Sequence, residues 1–301
     1  MGCWRVLPCL MLFLLHGTYN TAFSSVSETD TTTKRSRLAY TSCGMGIAYA
    51  ASMSGLYTLW YQDYPREDFH FFNDNAEWLQ MDKLGHVGSA YYLSNWSSSL
   101  FKWSGVKHKQ AAWLGSASSL AFLTTIEMFD GFSTQWGFSN GDMLANFGGA
   151  GLSLVQNLKW NEQRIKIKFS FSSTRYATYR PDQLGKSNVE QLFKDYNGQT
   201  YWVSGNIHAF MRSNSKFPKW LNLALGYGVD GLTGARTNIT GTEDFNRLRQ
   251  YYLALDVDLT RIPTRSKFLK TVFETFGFIK IPSPAIEFRS NGTIKGHGFY
   301  F

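Results

Sequence analysis

From Ala39 to Leu158 the chain sets long uncharged runs against short polar clusters. Ala39–Gln62 carries no charge at all, and its Gly46, Ala50 and Ser54 recur at every fourth position, a spacing that lets helix backbones approach closely. Tyr64-Pro65-Arg66 ends this run, and the aromatic, acidic stretch Asp68–Trp78 reads as an interfacial loop. Further helices are expected from near Leu79 to Phe101 or Trp103, from about Gln110 to Met128, and from Ser139 to about Leu158. Each is roughly 20 residues long with short connections, the pattern of an antiparallel bundle.

After Trp160 the period changes to two. Arg164-Ile-Lys-Ile-Lys-Phe-Ser-Phe-Ser alternates polar and apolar side chains, a strand signal. Other strands are expected in Thr200–Met211, Trp220–Val229, Arg249–Thr260, Ala285–Arg289 and Thr293–Phe301, with a short helix at Ser187–Lys194 and an amphipathic one at Ser266–Phe276. Leu221–Val229 and Tyr251–Leu259 resemble barrel walls, apolar on one side and small or polar on the other. A closed single-chain barrel usually needs at least eight strands, so about six imply a sheet that is open, completed by helices, or paired with a partner. The fold class is α+β: a membrane-associated antiparallel bundle of about four small-residue-rich helices, then an antiparallel sheet or partial barrel. Four segments follow: 1–24, 25–38 (a mobile Ser/Thr-rich linker), 39–160 and 161–301.

Composition bears on the address. Aromatic residues make up 17% of the 301-residue chain and charged residues another 17%, with 27 glycines. That profile suits membrane contact, while a mean hydropathy of -0.25 is too polar for a multi-span transporter. The net charge of +8 is compatible with anionic lipid, polysaccharide or nucleic acid. The basic residues are scattered through strands and turns without a nucleic-acid motif, so no nucleic-acid partner is expected. Arg5, the apolar Val6–Leu15 and Ala22-Phe23-Ser24 resemble a secretory signal peptide. Its removal would take Cys3 and Cys9 and leave Cys43, expected at a helix contact, with no intrachain disulfide. Sequons at Asn95, Asn238 and Asn291 matter only in a eukaryotic secretory pathway.

The chemistry gathers between Met81 and Gly151. Asp82, Lys83 and His86 open the second helix, Glu127 and Asp130 end the third, and Ser139, Asp142 and Asn146 open the fourth. An up-down bundle puts those three ends at one pole. Asp82 and His86, like Asp142 and Asn146, are one turn apart on one face. Three readings compete for the cluster. It is a buried polar network of structural value; or a catalytic site, with His86 as base oriented by Asp82 and with Glu127 and Asp130 as acids; or a binding site, with Lys83, Ser139, Asp142 and Asn146 as contacts and a divalent metal on His86, Glu127, Asp130 or Asp142. Ser139-x-x-Asp142 also reads as a capping box, which favours the structural reading of that pair. His70 reads as interfacial, His208 and His297 have no evident partner, and most tryptophans suit an interface belt.

The motifs Met81-Asp-Lys-Leu-Gly-His, Thr125-Ile-Glu-Met-Phe-Asp-Gly and Phe138-Ser-Asn-Gly-Asp-Met-Leu-Ala-Asn-Phe-Gly-Gly resemble the YfiM-like family of predicted bacterial envelope proteins. The chain resembles its longer Bacteroidetes-type members in particular. The pattern is more distantly similar to VanZ-like membrane proteins. The matching positions are Asp82, Lys83, His86, Glu127, Asp130, Ser139, Asp142, Asn146 and Gly149. The resemblance implies an address, the bacterial outer membrane, more than an activity. The expected function is a structural or accessory subunit of an outer-membrane assembly or export complex, in contact with membrane lipid and other outer-membrane proteins. The alternatives are an envelope enzyme on a lipid or lipid-linked substrate, and a secreted binding module.

Overall fold

The computed structural model describes residues 31–62, 64–212 and 215–301; the signal-peptide reading of residues 1–24 lies outside them. The chain forms two compact units, one of residues 1–74 and 82–163, the other of residues 75–81 and 164–301. In class it is α+β, with seven helices and one six-stranded antiparallel sheet among the described residues.

The first unit is helical. Its elements are α1 (Thr31–Leu56), continued by a π turn at Tyr57–Tyr61, α2 (Met81–Trp103), α3 (His108–Gly131) and α4 (Asn140–Trp160). Helix α1 starts at Thr31, so residues 31–38 of the expected linker are helical. Met53, Leu56, Tyr61, Ala90, Leu93, Phe122, Leu123, Ile126 and Ala150 form the core. Small residues make the close helix contacts, but different ones from those the pattern suggested. A Cβ on Gly149 would lie 2.1 Å from Val87 O, and one on Gly115 would lie 2.5 Å from Ser98 N. Ser119 Oγ donates to Ala90 O at 3.0 Å, bridging α3 to α2. Gly46, Ala50 and Ser54 instead face outward, as does Cys43. Periodicity places residues on one face but does not say which face meets a neighbour. Among the described residues no helix is long and apolar enough to cross a membrane.

The second unit holds β1 (Ile165–Phe171), two short helices α5 (Pro181–Leu184) and α6 (Asn188–Lys194), β2 (Gln199–Asn206), β3 (Leu221–Asp230), β4 (Leu248–Val257), α7 (Lys267–Phe276), β5 (Ser283–Arg289) and β6 (Ile294–Tyr300). The strands run β1 to β6 in chain order, each antiparallel to the next, and the sheet is open. It curls enough for Tyr300 on β6 to meet the Thr200 hydroxyl on β2 at 3.2 Å.

The sheet's covered face is mixed: beside the apolar cluster of Trp202, Ala224, Tyr252, Ala254 and Ala285 it buries an extended polar network. That face carries Lys168, Ser204, Asn206, Asn222, Asp256 and Glu287, all buried. Lys168 pairs with Asp256 at 2.7 Å and Ser204 donates to that carboxylate at 2.6 Å. Asn222 donates to Ser204 at 2.8 Å and Asn206 to Asn222 at 2.6 Å. Such groups are tolerated only because the network satisfies them. On the other face Val203, Leu225, Leu253 and Ile286 stand opposite one another across four strands, and all four are exposed. Beside that row runs an aromatic one, Tyr201, Tyr227, Tyr251 and Phe288.

Several expected surface groups lie elsewhere. Trp78 and Trp202 are each 1% exposed and so belong to no interface belt. His297 has a partner, Glu287, at 2.7 Å. Residues 78–80 take left-handed backbone angles, costly for residues with a Cβ. They are held by Trp78 N–H on Ala235 O at 2.7 Å and by Tyr227 Oη on Leu79 O at 2.6 Å.

Candidate functional site

Three helix ends and one loop build the centre of the helical unit. The loop is the stretch expected at an interface; here it folds over the α3–α4 connection. His70 N–H bonds Gly131 O at 2.9 Å, Phe138 N–H bonds His70 O at 3.0 Å, and Phe72 N–H bonds Phe138 O at 3.0 Å. Glycine is required at the crossing, since a Cβ on Gly131 would lie 2.4 Å from the Phe69 ring and one on Gly137 would lie 2.5 Å from Phe72 Cβ. This strap delivers Asp74, 7% exposed, to the helix ends. Nothing in the sequence marked Asp74, because an acid between Asn73 and Asn75 in a connection reads as ordinary loop polarity.

Lys83 binds three carboxylates at once: Asp74 at 2.6 Å, Asp82 at 2.8 Å and Asp142 at 2.9 Å. Ser139 caps α4 by accepting from Asp142 N–H at 3.1 Å, and its hydroxyl donates to Asp74 at 2.7 Å. The reciprocal half of the expected capping box is supplied by another helix. Ser139 N–H goes to Glu127 Oε2 at 3.2 Å, which leaves the Asp142 carboxylate facing Lys83 and His86. His86 is 1% exposed. Its Nδ1 lies 3.0 Å from Asn146 Oδ1 and its Nε2 lies 3.8 Å from Glu127 Oε1 and 3.7 Å from Asp142 Oδ1. Since Asn146 Oδ1 can only accept, Nδ1 carries the proton.

Burial raises the Asp142 pKa to about 7, with the charges of Glu127 and Asp82 adding to the shift. Burial disfavours charge on His86, but Asp142, Glu127 and Asp82 outweigh it and raise its pKa. Lys83 is raised in the same way by Asp142 and Asp82 against its own desolvation. Asp74 is held low, its burial overcome by hydrogen bonds from Lys83 and Ser139. The arrangement can therefore hold a cation among its carboxylates, either a protonated His86 or a bound ion.

Of the residues singled out in the sequence, Asp82, Lys83, His86, Glu127, Ser139, Asp142 and Asn146 meet here. Two groups have metal-ligand spacing among the described residues: His86 with Glu127 and Asp142, and Asp74 with Asp82 and Asp142. Asp130 is in neither group. It accepts from Tyr61 Oη at 2.8 Å, tying α3 to the π turn after α1. Tyr61 in turn lines an apolar pocket of about 300 Å³ with Tyr57, Tyr64, Arg66, Phe129 and Phe132.

Residues 68–158 match the model of the family described as "Predicted periplasmic lipoprotein (DUF2279)". The matched segment contains the strap, α2, α3, all but the last two residues of α4, and every residue of the centre. It supports a bacterial envelope protein. No curated protein and no solved structure matches the chain. The match bears on the envelope address and leaves the YfiM-like and VanZ-like resemblances where the motifs put them.

Proposed function

We propose that this envelope protein works at the outer membrane as an accessory subunit of a larger assembly, with the apolar face of its sheet on lipid. The observation that carries the reading is the apolar face that the sheet leaves exposed. A water-soluble sheet buries its apolar face, because each Å² of apolar surface left in water forgoes about 25 cal/mol. This one buries lysine, aspartate and asparagine beside Trp202 and Tyr252 on one face, and bares Leu223, Leu225, Leu253, Leu255 and Ile286 on the other. An aliphatic belt beside an aromatic row is the wall of a transmembrane barrel. Helix α7 supports the same reading: Phe268 is 74% exposed beside Lys267 and Lys270, a pairing suited to an anionic lipid interface.

The accessory role rests on α4, where Leu144, Phe147 and Val155 are exposed on one side with Gly148 and Gly151 open between them. That stripe is shaped for another helix. The enzyme alternative has less support, since a catalytic group must touch substrate, and His86, Asp82 and Glu127 are each 1% exposed.

Flotation with vesicles containing anionic phospholipid tests the reading. The full chain is expected to float, and Leu225→Glu with Leu253→Glu to lower binding at least tenfold with unchanged circular dichroism. A wild-type chain that stays with the aqueous fraction would end the proposal, as would a double variant that floats equally well.

A further inference from the structure

We infer that the helical unit binds one divalent cation, with His86 Nε2, Glu127 Oε1 and Asp142 Oδ1 as ligands and a zinc-like ion as the best fit. The distances make the first argument. His86 Nε2 is 3.8 Å from Glu127 Oε1 and 3.7 Å from Asp142 Oδ1, too far for a hydrogen bond. Around a tetrahedral ion with bonds near 2.1 Å, ligand atoms stand about 3.4 Å apart. One ligand atom from each of the three residues lies within 4.8 Å of the others, and the two histidine distances need to shorten by only a few tenths of an ångström.

The second argument is preorganisation. Asn146 Oδ1 takes the Nδ1 proton at 3.0 Å and thereby turns the Nε2 lone pair toward the two carboxylates. This is the partner a metal-bound histidine requires. Ser139 N–H holds Glu127 by Oε2 at 3.2 Å, which leaves Oε1 as the oxygen facing His86.

Charge makes the third. Asp74, Asp82, Glu127 and Asp142 put four carboxylates beside a single ammonium, Lys83, all nearly buried. Asp82, whose charge acts on His86, has Oδ1 buried without a hydrogen-bond partner. Lys83 is the cation of the all-oxygen group, binding Asp74, Asp82 and Asp142; its contact on Asp142 is Oδ1, so that oxygen would lie between the ammonium and the ion. The mixed nitrogen and oxygen group beside it has the donor set of a first-row divalent ion, whereas magnesium and calcium prefer oxygen alone. Three protein ligands leave a fourth position for water or an anion.

The experiment uses the full-length chain, stripped with a chelator and dialysed, then titrated with zinc by calorimetry and with cobalt by visible absorption. The expected result is one equivalent bound, with the cobalt spectrum of a four-coordinate site. His86→Gln and Glu127→Gln should lose both signals, and Asn146→Ala should weaken zinc affinity 10–100-fold. Asp130→Asn, outside the ligand group, should bind as the wild type does. No binding to the folded wild type would overturn the inference, leaving a proton on His86 to balance the charge. Binding undiminished in folded His86→Gln would overturn it too, by assigning the metal to adventitious surface groups. If a glutamine variant fails to fold, Asn146→Ala against Asp130→Asn decides the matter. Lipid binding does not enter this test, so the proposal for the sheet stands or falls separately.

Discussion

At Lys83 one ammonium holds together the strap, α2 and α4, through Asp74, Asp82 and Asp142. Removing one partner from a buried ion pair leaves uncompensated charge and costs about 3–5 kcal/mol. Lys83→Met is therefore expected to lower the unfolding free energy by about that amount in a urea titration, and Asp74→Asn in the same chain to recover part of it. Ser139→Ala removes both the α4 cap and a donor to Asp74, so its loss should reach or exceed the roughly 1–2 kcal/mol of an ordinary cap. In the other unit, burial lowers Lys280 from its ordinary 10.5 to about 8. Between those values the unfolded chain keeps a proton that the folded chain has released, so stability from this group rises with pH across that window. Denaturant midpoints at pH 8 and pH 10 should show a rise in the wild type that is smaller in Lys280→Met. The ionisable residues on α2 to α4 were legible in the sequence because they interrupt apolar helices. Lys168 and Asp256 were not, since a charged residue in an alternating strand reads as its solvent side. Only the covering of that face reverses the sense.

Two adjacent glycines on α4 test helix packing at the scale of elements. A Cβ at Gly149 would run into Val87 O, while one at Gly148 meets nothing within 4 Å. Gly149→Ala forces α2 and α4 apart and should cost about 1–3 kcal/mol or more. Gly148→Ala should stabilise by up to about 1 kcal/mol, as alanine is the better helix former. Thermal unfolding of the pair reads both; equal melting temperatures would refute the close approach. The four long helices and six strands followed from period and turn residues alone, as did the two shorter helices, whose expected first residues Ser187 and Ser266 prove to be their caps. What the pattern did not reveal was contact: which small residues face a neighbour, which tryptophans are core, and that Asp68–Trp78 contains a strap and not a free loop. Those depend on residues far apart in sequence.

For the whole molecule, two units divide the work, a helical one with a closed ionic centre and a β-rich one that shows hydrocarbon to its surroundings. The antiparallel sheet was legible from alternation, but the barrel-wall resemblance of Leu221–Val229 and Tyr251–Leu259 did not carry to a barrel, since the sheet is open. About six strands were expected and six are found, although the strand expected over Thr200–Met211 ends at Asn206, where the chain turns. The central claim is that the apolar face meets lipid, and spin labels on that face test it most directly. In a background without native cysteines, labels at Leu225, Leu253 and Ile286 are compared with one at Lys186, whose side chain is 68% exposed in an ion pair with Asp182. Collision with dissolved oxygen and with a polar nickel chelate is measured before and after anionic vesicles are added. The three sheet labels are predicted to gain oxygen contact and lose contact with the chelate, while the label at Lys186 stays open to it. Sheet labels as open to the chelate with vesicles as without them would contradict the account.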